Sequence, residues 1–418
     1  MLKNQKGFHL LPLLIVIVLA GLGFVGWRVF QNKNQGSPEN NITAQYKNPS
    51  EEAAIKAGQQ LTNNQCQGKG VPYKLSESPM KPEDFIIVIP YGLMVGGHVT
   101  PIDHQYFSPA DYKSKPDTYE VRAMADSTLV EIGSRARPFG QEYRLVFTIS
   151  CTFLYYYDLV TSLTPDIKKI YDEANSNTGS RKPINIKLKA GQVIGRIGGQ
   201  TLDFAVWDTT KPLSGFVVPE HYSYEAWKLY TADPLDYYTD DLKKFILSRY
   251  VRTVEPISGK IDYDVDGRLI GNWFREGTNG YEGDRSRGHE GYWSSHLAFA
   301  PNLYDPDWFE ISIGDYVTQK SGEGSQFVTP NNSPQPKDVS VETGLVKYDL
   351  RQFSYMADGK FWDQNSIAKN ITISPNQENF GCAAVQMLEA RKIKFEAFKN
   401  MSCDGVSGFT NTAKIYTR

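Results

Sequence analysis

The chain has 418 residues, enough for roughly two or three domains. Its 45 Lys and Arg residues are matched by 47 Asp and Glu residues, for a formal net charge of −2. No basic block stands out, so the composition argues against a nucleic-acid partner. The 25 Tyr and 21 Phe residues, separated by 35 Gly and 23 Pro residues, favour a mainly β chain over a helical one.

The first feature along the chain is an apolar stretch, residues 10–27, that carries no charge. At 1.5 Å per residue it would reach roughly 27 Å, enough for the hydrocarbon core of a bilayer. A cleaved signal peptide is the rival interpretation, but no A-x-A-like site follows the stretch. We therefore predict a transmembrane anchor within residues 1–30, followed by a polar linker over residues 31–60. The protein is then a single-pass membrane protein.

The amino terminus also resembles that of type IV pilin-like proteins. Lys6-Gly7-Phe8 followed by an apolar run is typical of that family, which is processed after the glycine. Pro12 stands where the family usually carries a glutamate. Despite this difference, assembly of a pilus-like structure is kept as a further alternative.

The four cysteines, Cys66, Cys151, Cys382 and Cys403, form no C-x-x-C pair, which argues against a cysteine zinc site. Their even number permits two disulfides, which would suit an extracytoplasmic location for the globular part. The spacing suggests Cys66 with Cys151 and Cys382 with Cys403, and the other two connectivities stay open.

A short helix is expected at residues 51–61, and strands follow it. Strand-like patterns cover residues 85–89, 119–123, 128–132, 143–157, 184–188 and 193–197. The last of these carries glycines, in the phrase IGRIGG, where backbones must come close. Thr164 and Pro165 have the positions of an N-cap and a first helical residue. Residues 202–208 alternate so that Leu202, Phe204 and Val206 share one face, while the other face offers Asp203.

The densest group of metal-ligand residue types is Gly97–His104, which holds His98, Asp103 and His104. Imidazole and carboxylate ligands suit zinc, provided that at least three gather in space. A turn is the alternative, because Pro101 and the neighbouring glycines are turn residues.

Three phrases in order, VRAMADSTLVEI, KLKAGQVIGRIGG and LDFAVWD, resemble the core of the lysostaphin-type metalloendopeptidases. The resemblance covers residues 90–208. It implies an antiparallel β-sandwich of the duplicated hybrid motif over residues 61–215. It also implies peptidoglycan as the partner and zinc as the metal.

The site residues that the resemblance implies are altered in this chain. The family's H-x-x-x-D becomes His98 and Asp103 with one residue more between them, and His104 is a substitute for either. The H-x-H positions fall on Thr201 and Asp203, and the remaining active-site histidine falls on Asp158. The implied metal ligands are thus His98, Asp103, His104 and Asp203, and Asp158 and Thr201 stand in catalytic positions. An ionised Asp would repel an oxyanion that a histidine would stabilise.

Beyond the resemblance, residues 216–252 have helical spacing and are interpreted as a connector. Residues 253–418 form a predicted β-rich domain whose role the sequence does not reveal. Asp262, Asp264 and Asp266 match the opening half of an EF-hand calcium loop, and an Asp-Gly hairpin turn explains them equally well.

The sequence therefore predicts a membrane-anchored cell-envelope protein with a peptidoglycan-endopeptidase-like domain. The altered site favours a degenerate domain that acts in wall binding or scaffolding. An active metal-dependent endopeptidase is the alternative. Protein partners are not indicated.

Overall fold

The chain folds mainly into antiparallel β-sheets, as its composition predicts. The structure, a computed structural model, describes residues 49–70, 73–138, 140–176, 183–316 and 325–418. Its α-helices there are α1 (Glu51–Leu61), α2 (Pro165–Asn175), α3 (Asp240–Arg249) and α4 (Gly291–Ser294). Helices α1 and α2 lie where the sequence predicts helices, and Thr164 occupies the N-cap of α2 without a side-chain cap hydrogen bond.

The strands of the first half lie between residues 85 and 208. They are β1 (Phe85–Ile89), β2 (Gln105–Pro109), β3 (Tyr119–Arg122), β4 (Ser127–Arg137), β5 (Gly140–Thr148), β6 (Phe153–Val160), β7 (Ser162–Leu163), β8 (Ile186–Leu188), β9 (Val193–Ile197) and β10 (Leu202–Asp208).

Of the remaining strands, β11 lies within the connector and the others follow it. They are β11 (Thr231–Ala232), β12 (Gly271–Arg275), β13 (His296–Pro301), β14 (Phe309–Ile313), β15 (Ser325–Phe327), β16 (Leu345–Ala357), β17 (Lys360–Phe361), β18 (Thr372–Glu389), β19 (Lys392–Lys399) and β20 (Lys414–Thr417). Short 3-10 helices lie at Pro219–Tyr230, Pro234–Asp236, Gly280–Glu282, Arg285–Glu290, Pro336–Asp338, Val341–Thr343 and Cys403–Gly405.

An eight-stranded sheet carries the first half, in the order β1-β2-β10-β6-β5-β4-β8, with β11 beside β10. Strand β10 is central, and all seven of its residues are buried. Leu202, Phe204 and Val206 belong to the apolar cluster on one face, as the alternation predicts. The other face is covered too, because Ala205 and Trp207 belong to a second apolar cluster. Asp203 lies on that second face.

A three-stranded sheet, β3-β9-β7, packs against the larger sheet through the first apolar cluster. Strands β3 and β4, which follow each other in the chain, thus belong to different sheets. The glycines of the IGRIGG phrase lie where backbones approach closely, as the sequence predicts. A Cβ atom on Gly198 would lie 2.0 Å from the carbonyl oxygen of Lys115.

The second half forms a nine-stranded sheet in the order β15-β14-β13-β12-β20-β19-β18-β16-β17. It shares apolar clusters with the first sheet: Ile89 and Tyr106 pack in one cluster with Leu303, Tyr304 and Val328. The connector contributes Phe216 and Tyr222 to a second shared cluster. The connector is helical only in part. Pro219–Tyr230 is a 3-10 stretch interrupted at Glu225, and the α-helix α3 begins at Asp240.

Two disulfides join Cys66 to Cys151 and Cys382 to Cys403, so the suggested pairing is confirmed. The first ties the segment after α1 to the turn between β5 and β6. The second ties β18 to the 3-10 helix at Cys403–Gly405.

The predicted membrane anchor, residues 10–27, lies outside the described residues. Within the ranges that the structure describes, no helix has the length and apolar content needed to cross a bilayer.

The close approach at Gly198 gives a test of the fold. Gly198→Ala should lower the free energy of unfolding by about 1–3 kcal/mol, because the added methyl group would overlap a backbone oxygen and one of the two segments would have to shift. Urea unfolding followed by tryptophan fluorescence measures the change. Gly408→Ala is the matched control, since a Cβ there has no heavy atom within 4 Å. Equal midpoints for the two variants would contradict the close approach.

A buried carboxyl group that belongs to none of the predicted sites lies in the second sheet. Glu310 on β14 accepts a hydrogen bond from Asn302 Nδ2 at 2.6 Å through Oε1. Its Oε2 has no partner among the described residues. Burial raises the pKa of Glu310 from its ordinary value of 4.5 to about 8.

This carboxyl group should make stability depend on pH. Between pH 4.5 and about 8 the folded chain holds a proton that the unfolded chain has lost. The free energy of unfolding should therefore fall by up to about 1.4 kcal/mol per pH unit over that range. Glu310→Gln, which keeps the acceptor for Asn302, should remove this part of the slope in urea titrations at several pH values. An unchanged slope would show that Glu310 is already ionised in the fold.

Candidate functional site

The predicted ligand loop connects β1 to β2 and is held by its own backbone. Val95 and His98 exchange backbone hydrogen bonds, and the amide of Gly92 donates to the carbonyl of Ile102. This folding turns the loop back on itself, as its Pro and Gly residues allow. It places Asp103 and His104, both buried, immediately before the first residue of β2.

The loop meets β10 at the sheet face that carries Asp203. In the strand register, Asp203 pairs with Tyr106 of β2 on one side and with Asp158 of β6 on the other. His104 lies between two carboxylates: its Nδ1 is 3.4 Å from Asp103 Oδ1, and its Nε2 is 3.3 Å from Asp203 Oδ2. The His98 ring is 5.7 Å from the His104 ring, centroid to centroid.

Burial and these charges change the proton affinities of the group. Burial raises the pKa of Asp203 to about 7, against the opposing effect of His104. Burial lowers the pKa of His98 to about 3, with His104 and Lys228 adding to the effect, so that imidazole is neutral. Burial alone would also lower the pKa of His104, but Asp203 and Asp103 outweigh it and raise that pKa.

A lysine that the sequence reasoning missed occupies the centre of the site. Lys228, from the 3-10 stretch Pro219–Tyr230, is buried, and its Nζ lies 2.8 Å from Asp103 Oδ1 and 3.1 Å from Glu225 Oε2. The same ammonium lies 4.5 Å from the centroid of the Tyr281 ring. Trp227 Nε1 donates to Asp103 Oδ2 at 2.8 Å. Both oxygens of Asp103 therefore accept hydrogen bonds from the connector.

These contacts keep Asp103 ionised. Although burial would raise its pKa, Lys228 and His104 hold the pKa of this carboxyl well below its usual range. No local pattern in the sequence links Lys228 to Asp103, because they are far apart in the chain. The segment that carries the lysine reads only as a connector.

Asp158, in a family histidine position, forms a different ion pair. Arg135 donates to both of its oxygens, from Nη2 to Oδ1 at 2.8 Å and from Nη1 to Oδ2 at 3.1 Å. Arg135 Nε also donates to Glu142 at 3.0 Å. Both oxygens of the Asp158 carboxylate are thus occupied by one guanidinium. Thr201 donates to Asp203 Oδ1 at 3.3 Å.

The residues present do not fit a zinc ion. The structure brings His98, Asp103, His104 and Asp203 together, but Asp103 already binds the ammonium of Lys228 and the indole of Trp227. A divalent cation on the same carboxylate would repel that ammonium strongly. Within the described ranges, no group of three or more His, Cys, Asp or Glu residues has metal-binding geometry.

The three acidic residues of the predicted calcium loop have separate protein partners. Asp262 accepts from the amide of Gly215 and from Lys260, and Asp264 accepts from the amides of Asn272 and Val217. Asp266 accepts from both Nε and Nη2 of Arg391. The EF-hand pattern needs flanking helices, and β12 follows this loop. These partners explain the three carboxylates without calcium, and the calcium site stays a prediction.

Comparison with known proteins identifies no family for this chain. No family model and no curated protein matches the chain. Two solved structures of Helicobacter pylori Csd3 share 17% and 18% sequence identity with it, each with a TM-score of 0.22. The alignments cover 34% of this chain and 32% and 33% of the two Csd3 chains, so this chain spans about a third of their length. At this TM-score the likeness carries no conclusion about activity.

The buried ion pair can be tested by a double-mutant cycle. Lys228→Met leaves Asp103 buried without its cation and should lower the free energy of unfolding by about 3–5 kcal/mol. Adding Asp103→Asn to Lys228→Met should cost much less than Asp103→Asn alone, because the uncompensated charge disappears. Urea unfolding of the four chains measures the coupling. Additive effects would show that the two side chains do not interact.

Proposed function

We propose that this protein is a non-catalytic relative of the peptidoglycan endopeptidases, acting in wall binding or scaffolding at the cell envelope. The observation that carries the proposal is the contact of Lys228 Nζ with Asp103 Oδ1 at 2.8 Å. It places a side-chain ammonium on a carboxylate that the resemblance assigns to the metal. The connector thereby supplies a fixed charge that cannot activate water.

The other family positions support the same proposal. A hydrolytic site needs a group that takes a proton from water and a group that steadies the developing oxyanion. Asp158 is paired with Arg135, and Thr201 offers a hydroxyl in place of an imidazole. His104 remains the only imidazole in contact with Asp203 among the described residues, and carboxylates hold both of its ring nitrogens.

The proposed location rests on two features. Residues 10–27 have the length and composition of a membrane anchor. The disulfides Cys66–Cys151 and Cys382–Cys403 suit an oxidising compartment outside the cytoplasm. The globular part, including its duplicated-hybrid-motif domain, would then face the wall.

The alternative, an active endopeptidase, has one observation in its favour. His98, His104 and Asp203 do gather at the end of one sheet face, and Asp203 has a raised pKa of about 7. Movement of the connector that withdrew Lys228 would free Asp103 to act together with these side chains.

Metal analysis and a cleavage assay on the full chain separate the two functions. We expect less than stoichiometric zinc by elemental analysis, no release of soluble fragments from peptidoglycan, and retention of the protein on insoluble peptidoglycan. Asp203→Ala should leave that retention unchanged, like the exposed control Asp363→Ala.

Stoichiometric zinc with cleavage that Asp203→Ala abolishes and Asp363→Ala preserves would overturn the non-catalytic proposal. Loss of retention on peptidoglycan together with absence of cleavage would overturn both functions.

A further inference from the structure

A second cation of the same sheet face, Arg144 on β5, lies inside a stack of aromatic rings. Its Cζ is 4.7 Å from the centroid of Tyr156 and 4.3 Å from that of Trp227. Trp207 stacks on Tyr156 at 5.0 Å and lies 5.9 Å from the guanidinium. Rings on two sides fix the plane of a guanidinium and leave its N–H edge as the direction for hydrogen bonds.

The guanidinium of Arg144 has no ion pair and no hydrogen bond to any group among the described residues. Its Nε is buried without a partner, and so is the indole Nε1 of Trp207. A buried donor without an acceptor is costly, so unpaired donors of this kind mark a strained or functional position. A guanidinium has only donors, so a ligand that meets its accessible N–H groups must supply acceptors.

The acidic neighbours of Arg144 do not satisfy it. Asp158 binds Arg135, and Glu225 binds Lys228 and accepts from Tyr292. Together with Tyr156 and Glu131 they raise the pKa of Arg144 against the effect of burial. They act at a distance, since none of them forms an ion pair with its guanidinium. The side chain of Arg144 is half-buried, so part of this unpaired cation is accessible.

We propose that Arg144 binds a carboxylate of a wall peptide through the N–H groups of its guanidinium that remain accessible. The proposal rests on the proposed function and assigns the peptide, rather than the glycan, as the part of peptidoglycan that this face recognises. A guanidinium offers two parallel N–H groups that match a carboxylate, and the aromatic stack reduces the entropy lost on binding.

A carboxylate fits better than a phosphate. The other cations of this face, Lys228 and Arg135, are already ion-paired. Among the described residues of the face, the guanidinium of Arg144 is therefore the positive charge that remains unpaired. A single guanidinium matches a monoanion. A phosphate commonly recruits several donors together, such as an arginine cluster or a helix N-terminus.

The experiment uses the full chain and its variants Arg144→Gln and Arg144→Lys. The matched control is Arg249→Gln, because Arg249 also lies beside aromatic rings, 5.4 Å from Phe245 and 5.9 Å from Phe85, without an ion pair among the described residues. The probes are soluble peptide fragments of peptidoglycan, the same fragments with their carboxylates amidated, a glutamate-rich peptide and inorganic phosphate. Calorimetry gives the affinities, and urea unfolding checks that each variant is folded.

We expect the unmodified fragments to bind, and Arg144→Gln and amidation each to weaken binding about tenfold or more. Arg144→Lys should restore binding only in part, and Arg249→Gln should have no effect. Binding of the fragments that Arg144→Gln leaves unchanged would overturn the role of Arg144 while the proposed function stands.

Binding of the glutamate-rich peptide through Arg144, without binding of the wall fragments, would overturn the wall-peptide ligand and the proposed function but keep the carboxylate site. Phosphate that displaces the fragments at equal concentration would overturn the preference for a carboxylate. Absence of binding by every probe would overturn the site as a whole.

Discussion

The ion pair between Asp103 and Lys228 is the contact on which the rest of the site depends. It is buried, and burying two charges is favourable only when each has further polar partners. Both charges have such partners. Trp227 donates to the second oxygen of Asp103, and Glu225 and the Tyr281 ring face the ammonium of Lys228. The pair joins the loop after β1 to the connector and, through Tyr281, to the second half of the chain.

An aromatic layer surrounds this pair and explains the behaviour of the neighbouring charges. Tyr156, Trp207 and Trp227 form successive stacked contacts along the sheet face. Rings of this size exclude water, so each charge nearby interacts more strongly with its neighbours than it would in solvent. Under these conditions a carboxylate either finds a cation, as Asp103 and Asp158 do, or binds its proton more tightly, as Asp203 does.

The same distribution of charges is the basis of the proposal that the site binds a ligand without hydrolysing it. Where the resemblance implies a base, an acid and a metal ligand, the carboxylates are already paired with Lys228, Arg135 or His104. On the same face, Nε of Arg144 has no hydrogen-bond partner among the described residues. A guanidinium without an ion pair suits recognition of an acceptor group.

The amino-acid sequence by itself determined the strands, the close backbone approach at Gly198, and the face of β10 that carries Asp203, because these depend on local alternation and on residue size. It also gathered His98, Asp103 and His104 in one loop. Only the tertiary structure decided what these residues contact. Lys228 and Trp227 come from a segment distant in the chain, and they meet Asp103 of the loop only once the connector packs against the first sheet. The alternation of apolar and polar residues along a strand predicts which side is buried. It does not predict which cation from a distant segment will be buried against that side.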